Sequence, residues 1–72
     1  MKNASDPIVI ELIRRRIVRG LTQQCVAAGL GVTQPTVARW ESGARVIPLD
    51  LLYGYAALVD CDVALIPREA AA

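Results

Sequence analysis

In this 72-residue chain, the residues best suited to recognising a partner through hydrogen bonds are two glutamines. Gln23 and Gln34 each follow a threonine directly, and eleven positions separate them. A glutamine amide presents a donor beside an acceptor, which matches the exposed edge of adenine. Arg39 follows Gln34 by five positions, and its guanidinium can hold two acceptors of guanine or grip a phosphate. These residue types suit recognition through hydrogen bonds rather than bond-making chemistry.

Residues that catalysis or metal binding would need are scarce. The chain has no histidine, so it offers neither an imidazole base nor the ligands of a zinc finger. Cys25 and Cys61 lack the spacing of a metal site or a disulfide framework, and we expect both thiols to be free. The acidic residues are scattered, and no glycine-rich phosphate loop occurs. We therefore expect no enzyme activity, no metal site and no cofactor.

The net charge of +1 hides an uneven distribution along the chain. Residues 1–45 hold seven basic and three acidic residues, a net +4, whereas 46–72 hold one basic and four acidic residues, a net −3. The first part therefore suits a polyanionic partner. An apolar fraction of 54% is high for so short a chain and favours an apolar face covered by a partner chain. We expect a soluble cytoplasmic protein, because neither a signal peptide nor a membrane span is recognisable.

Capping residues and glycine stops predict four helices, over about 7–19, 23–30, 34–42 and 49–59. Asp6 followed by Pro7 is a typical helix start, and Thr22 and Thr33 are in position to cap the second and third helices. Gly31 can supply the left-handed turn between those two helices. We expect one domain over 1–72, with the helical bundle at about 8–59.

The segment 21–43 reads LTQQCVAAGLGVTQPTVARWESG, and Pro48 follows it. Two short capped helices joined by a glycine turn hold the second helix away from the body of a domain. This segment resembles the Cro and phage-repressor (XRE) helix-turn-helix family. The resemblance implies a mainly all-α fold, a lambda-repressor-like bundle of four to five helices. A generic helical bundle would explain each helix singly but not the paired glutamines.

The resemblance also implies roles for individual residues. The first glutamine of the pair braces the second and touches phosphate, and the second reads a base edge. The expected base-reading residues on the third helix are Gln34, Pro35, Thr36, Ala38 and Arg39. The expected phosphate contacts are Thr22, Gln23, Ser42, Gly43 through its backbone, and Arg45. Arg16 and Glu41 are expected to form a structural ion pair that fixes the orientation of the reading helix.

A short apolar stretch before Pro67 is the other informative feature. It favours a strand at 61–67, followed by a frayed tail at 68–72. A lone strand needs a partner, and a second copy of the chain could supply one through the residues Val63, Ala64, Leu65 and Ile66. The alternatives are a fifth helix or a coil docked on the same chain.

These features together lead us to expect a homodimeric transcriptional regulator, in particular a repressor, that binds a near-palindromic operator on double-stranded DNA. The two reading helices of such a dimer would lie about 34 Å apart, one turn of DNA. Two alternatives stay open. One is an antitoxin that binds a toxin and represses its own operon, and the other is a cofactor that uses the fold for protein contacts only.

Overall fold

The structure is a computed structural model that describes residues 6–71 and consists of helices joined by short turns. The elements are α1 (Pro7–Val18), α2 (Gln23–Leu30), α3 (Gln34–Ser42), α4 (Leu49–Leu58) and the single turn α5 (Arg68–Ala71). The four predicted helices are confirmed, each boundary to within one residue, and so is the mainly α-helical fold class. Within 6–71, none of the helices is long and apolar enough to cross a membrane.

Each of the first three helices begins at a side-chain cap. The Asp6 carboxylate accepts the Ile8 N–H at 2.8 Å, and Pro7 fills the first helical position. The Thr22 hydroxyl accepts the Cys25 N–H at 3.0 Å at the start of α2. The Thr33 hydroxyl plays the same part at the start of α3, through a longer contact of 3.4 Å. These caps satisfy backbone donors that a helix leaves unpaired and so fix where each helix starts.

A small apolar core holds the helices together, and α2 packs against both α3 and α4 while α1 packs against α3. Val26 and Ala27 on α2 and Val37 on α3 are fully buried, and the small side chain of Ala27 suits close helix packing. The buried residues are Leu12, Val26, Ala27, Val37, Trp40, Tyr55, Ala56 and Val59. Because α3 is anchored only along the face that carries Val37 and Trp40, its other face is left towards solvent.

The C-terminal segment departs from the predicted strand and frayed tail. Residues 61–67 belong to neither a helix nor a strand, and no strand occurs within the part of the chain that the structure describes. A β-ladder needs a second strand, and the described chain offers none. Residues 68–71 form one helical turn instead of a frayed tail, and residue 72 lies outside the described residues.

The same segment is docked at its beginning and exposed at its end. Cys61 and Val63 pack against the core, so the alternative of a coil docked on the same chain holds for this part. Leu65 is 99% exposed and Ile66 is 72% exposed. Pairing of residues 63–66 with a second copy therefore stays a prediction.

The turn between α2 and α3 depends on the backbone of Gly31, whose φ is +70° and whose missing Cβ would meet no atom within 4 Å. Any cost of a side chain here therefore comes from the left-handed backbone alone. We expect Gly31→Ala to lower the free energy of unfolding by about 1–2 kcal/mol. Gly31→Asn is the matched control, because asparagine tolerates this conformation better and should cost less. Equal costs in urea unfolding would contradict this explanation of the turn.

Candidate nucleic-acid interface

The two glutamines meet at the junction of α2 and α3. Gln34 Nε2 donates a hydrogen bond to Gln23 Oε1 at 2.7 Å, and Gln23 Nε2 donates to Glu41 Oε1 at 3.0 Å. Both glutamines occupy the first position after a threonine cap, which is why residues eleven apart in sequence come together. We call this chain of hydrogen bonds from Gln34 through Gln23 to Glu41 the amide relay.

The Glu41 carboxylate is the fixed end of the amide relay. Arg16 Nε donates to Oε2 and Arg16 Nη2 donates to Oε1, both at 2.9 Å. The Tyr55 hydroxyl donates to Oε2 at 2.5 Å. The side chains of Arg16 and Glu41 are only 13% and 7% exposed, so the ion pair lies largely inside the protein. The remaining Arg16 nitrogen, Nη1, donates to the Leu21 carbonyl at 2.9 Å, which anchors the guanidinium to the turn after α1.

The expected base-reading residues share the outer face of α3. Pro35 and Arg39 are exposed, whereas Gln34, Thr36 and Ala38 are half-buried. The Thr36 hydroxyl lies 2.8 Å from the Thr33 hydroxyl, so the N-terminal cap occupies part of its hydrogen-bonding capacity. The residues that can offer an unshared polar group on this face are therefore few.

The expected phosphate contacts are less uniform. Arg45 is exposed and lines one groove with Thr36 and Arg39. The Gly43 N–H donates to the Trp40 carbonyl at 3.3 Å, so it closes the end of α3. A phosphate contact by this N–H stays a prediction, and it would have to share a donor that already closes the helix.

Two hydroxyls among the expected phosphate contacts already have partners within the protein. The Thr22 hydroxyl lies 3.1 Å from Cys25 Sγ, and the Ser42 hydroxyl donates to the Arg39 carbonyl at 3.2 Å. The Ser42 hydroxyl also receives the Ala44 N–H at 3.4 Å. Each of these side chains would have to share or exchange a hydrogen bond to contact DNA.

A family model described as helix-turn-helix matches residues 12–66 of the chain. The chain belongs to the XRE-type helix-turn-helix family. No curated protein and no solved structure gives a match. The matched range contains the amide relay and the whole of α3, and the general function that goes with the family is DNA-binding transcriptional regulation.

Tyr55 is the residue of this helix-turn-helix regulator whose role the sequence did not reveal. Its place on the inner face of α4 was predictable from the spacing of apolar residues, but the partner of its hydroxyl was not. A buried tyrosine usually directs its hydroxyl to a hydrogen-bond acceptor, and the nearest carboxylate lies fourteen residues earlier in the chain. The two come together through tertiary packing, because α2 packs against both α3, which carries Glu41, and α4, which carries Tyr55.

The electrostatics of the Glu41 site follow from its contacts. Burial raises the pKa of Glu41, but the hydrogen bonds from Arg16, Tyr55 and Gln23 outweigh it and hold that pKa below the ordinary value. Burial and the neighbouring carboxylate raise the pKa of Tyr55, so its hydroxyl keeps its proton. The hydrogen bond to Glu41 raises the pKa of Arg16. At neutral pH the site is therefore a carboxylate surrounded by donors.

The remaining arginines of α1 are engaged at the surface. Arg14 Nη2 lies 2.8 Å from Glu11 Oε2, and Arg15 Nε lies 2.7 Å from the same oxygen. These side chains are about half exposed, and such pairs contribute little to stability. This arrangement is typical of a solvated helix face.

We expect Glu41→Gln to lower the free energy of unfolding at neutral pH by about 3 kcal/mol, because it leaves the Arg16 charge largely buried without a counter-ion. Urea unfolding measures the change. Glu11→Gln is the matched control, since it removes a carboxylate that also binds arginine but lies at the surface, and it should change stability much less. Equal, small effects of both substitutions would contradict a structural role for Glu41.

The same pair of variants has a predicted pH dependence. The pKa of Glu41 in the folded protein lies below the ordinary value of 4.5, so its stabilisation is complete above that pH and is lost as the pH falls through the folded pKa. The hydrogen bonds from Arg14 and Arg15 also lower the pKa of Glu11, but this group lies at the surface, where solvent screens the pairs, so Glu11→Gln should change the pH profile less than Glu41→Gln does. Thermal unfolding from neutral to acidic pH should therefore give a flatter profile for Glu41→Gln than for the unmodified chain.

Proposed function

We propose that this regulator binds a specific, near-palindromic operator as a homodimer and acts as a repressor by occupying promoter DNA. The observation that carries the proposal is the amide relay, in which Gln23 holds the Gln34 amide at the start of a helix anchored only on its inner face. A rigidly held amide loses little side-chain entropy when it contacts a base, which favours specific recognition.

The proposed base contacts centre on two residues of α3. Gln34 forms a bidentate contact with adenine, and Arg39 contacts guanine or an adjacent phosphate. Pro35 and Ala38 have no side-chain donor, so they contribute apolar contacts such as those with a thymine methyl group. Thr36 contacts a thymine methyl group or a phosphate. Direct readout by each half of the dimer thus rests on few hydrogen bonds, and shape-dependent readout supplies the remainder.

The proposed phosphate contacts come from both ends of the helix-turn-helix. Gln23 and Thr22 lie at the start of α2, where the helix dipole favours an anion. Ser42 and the exposed Arg45 lie at the end of α3 and just beyond it. Because so few of these groups are cationic, we expect affinity to fall only shallowly as salt concentration rises.

Self-association through the C-terminal segment is supported by its exposure. Leu65 is almost entirely in solvent and Ile66 is largely so. The high apolar fraction of the chain is therefore not all buried in its small core. An antiparallel pairing of residues 63–66 with a second copy would place the Leu65 side chains of the two copies on one face of the ribbon and relate two reading helices by a two-fold axis. Such a dimer demands an operator with matching symmetry.

Operator selection from a randomised duplex library tests the reading face. Gln34→Ala and Arg39→Ala should each relax sequence preference at one base pair per half-site, by about fivefold or more. Gln23→Ala should weaken binding to all sequences more evenly, because it removes a brace and a phosphate contact. Unchanged preferences for all three variants would exclude the proposed reading face.

Analytical ultracentrifugation tests the dimer. We expect Leu65→Asp to shift the protein towards monomer and to weaken binding to two-half-site DNA, with little effect on folding because the side chain is 99% exposed. Val18→Asp is the control, since it charges another largely exposed apolar residue, at the end of α1 and outside the proposed interface. A dimer unaffected by Leu65→Asp would exclude this interface. If a second polypeptide co-purifies with the unmodified chain but not with Leu65→Asp, the antitoxin function is favoured instead.

A further inference from the structure

The Glu41 carboxylate receives one hydrogen bond for each of its lone-pair positions. Oε1 accepts from Arg16 Nη2 and Gln23 Nε2, and Oε2 accepts from Arg16 Nε and the Tyr55 hydroxyl. A carboxylate has about four such positions, so this acceptor is saturated. Its partners come from α1, α2 and α4, whereas Glu41 itself is on α3, so one side chain ties four helices together.

An ionised carboxylate imposes a direction on the hydrogen bonds that begin at it. It can only accept, so Gln23 must turn its amide nitrogen towards Glu41. The oxygen of that amide is then left for Gln34, which must turn its own nitrogen inward. The orientation of the outermost amide therefore follows from the ionisation of a side chain two hydrogen bonds away.

We propose that Tyr55 and Glu41 set the orientation of the Gln34 amide and thereby determine which base it accepts. This inference rests on the proposed function, in which Gln34 reads a base. Tyr55 is a positioning residue, because it touches Glu41 and acts on DNA only through the amide relay. Its hydroxyl is held on the side of the carboxylate away from Gln23, so it keeps Oε2 engaged while Oε1 faces the relay.

The orientation has a chemical consequence at the DNA surface. With one Nε2 hydrogen given to Gln23, the Gln34 side chain keeps Oε1 as an acceptor and the second Nε2 hydrogen as a donor. Adenine offers the complementary pair, the N6 amino group and the N7 acceptor, whereas guanine offers two acceptors at the same edge. A Gln34 amide of fixed orientation thus prefers adenine, and an amide free to reverse discriminates less.

Burial makes Tyr55 suitable for this role. The side chain is 1% exposed and its ring belongs to the core, so its hydroxyl has little freedom to find another acceptor. Without that hydroxyl, Oε2 would keep only the Arg16 Nε bond, and the carboxylate would be held by Arg16 and Gln23 without the contact that fixes its far side. Gln23 would then no longer face a saturated, immobile acceptor.

Tyr55→Phe tests the proposal because it removes only the hydroxyl and leaves the ring in the core. Tyr53→Phe is the matched control, since Tyr53 lies two residues earlier on α4 and is 52% exposed. Operators selected from a randomised duplex library by the unmodified chain should show an adenine that depends on Gln34. At this base pair we expect Tyr55→Phe to reduce the preference for adenine over guanine about fivefold or more. Preferences elsewhere, and the dependence of affinity on salt, should not change.

A second measurement separates positioning from a general loss of structure. Replacing that adenine by 7-deazaadenine removes N7 and should weaken binding of the unmodified chain and of Tyr53→Phe. It should weaken Tyr55→Phe less, because the contact is already loosened. Circular dichroism at the temperature of the binding assay checks that every variant is helical.

The possible outcomes distinguish this inference from the proposed function. If Gln34→Ala relaxes one base pair but Tyr55→Phe keeps the full preference for adenine, the positioning role is wrong and base reading by Gln34 stands. A uniform loss of affinity in Tyr55→Phe, with all preferences kept, also overturns the inference, because it indicates a structural role only. If Gln34→Ala changes no preference, the proposed function itself fails.

Discussion

The buried carboxylate of Glu41 is the constraint on which the rest of this structure depends. Removing a carboxylate and a guanidinium from water is costly, and their mutual attraction offsets the cost only when the geometry is good and the other lone pairs are filled. Here Arg16 binds both oxygens, and Gln23 and Tyr55 supply the remaining donors. The ion pair is therefore better understood as a device that fixes one arrangement of helices than as a source of stability.

In that arrangement, an uninterrupted chain of hydrogen bonds connects the core to the surface. Tyr55 is anchored among the buried apolar residues, Glu41 lies at the edge of the core, and Gln23 and Gln34 extend from there towards solvent. Each step is a hydrogen bond of 3.0 Å or less, so the chain of contacts from the core to Gln34 is continuous.

Much of this could be predicted from the sequence because the signals are local. Asp6, Thr22 and Thr33 determine where helices begin, and the helix boundaries followed from them to within one residue. The contact between the two glutamines and the partnership of Arg16 with Glu41 were expected from the resemblance of 21–43 to a known family. What the sequence did not reveal depends on packing between distant segments, since the Tyr55 hydroxyl finds its acceptor only when α4 docks. The hydrogen bond from the Gly43 N–H to the Trp40 carbonyl depends on how the last turn of α3 closes. A strand at 61–67 would depend on a partner outside the chain.

A crystal structure of the protein bound to an operator selected from random DNA tests the central claim most directly. The account predicts Gln34 Oε1 within hydrogen-bonding distance of an adenine N6, with Gln34 Nε2 still bound to Gln23 and Gln23 still bound to Glu41. A complex in which Gln34 faces away from the bases, or in which it reaches a base only after the bond to Gln23 has broken, would contradict it.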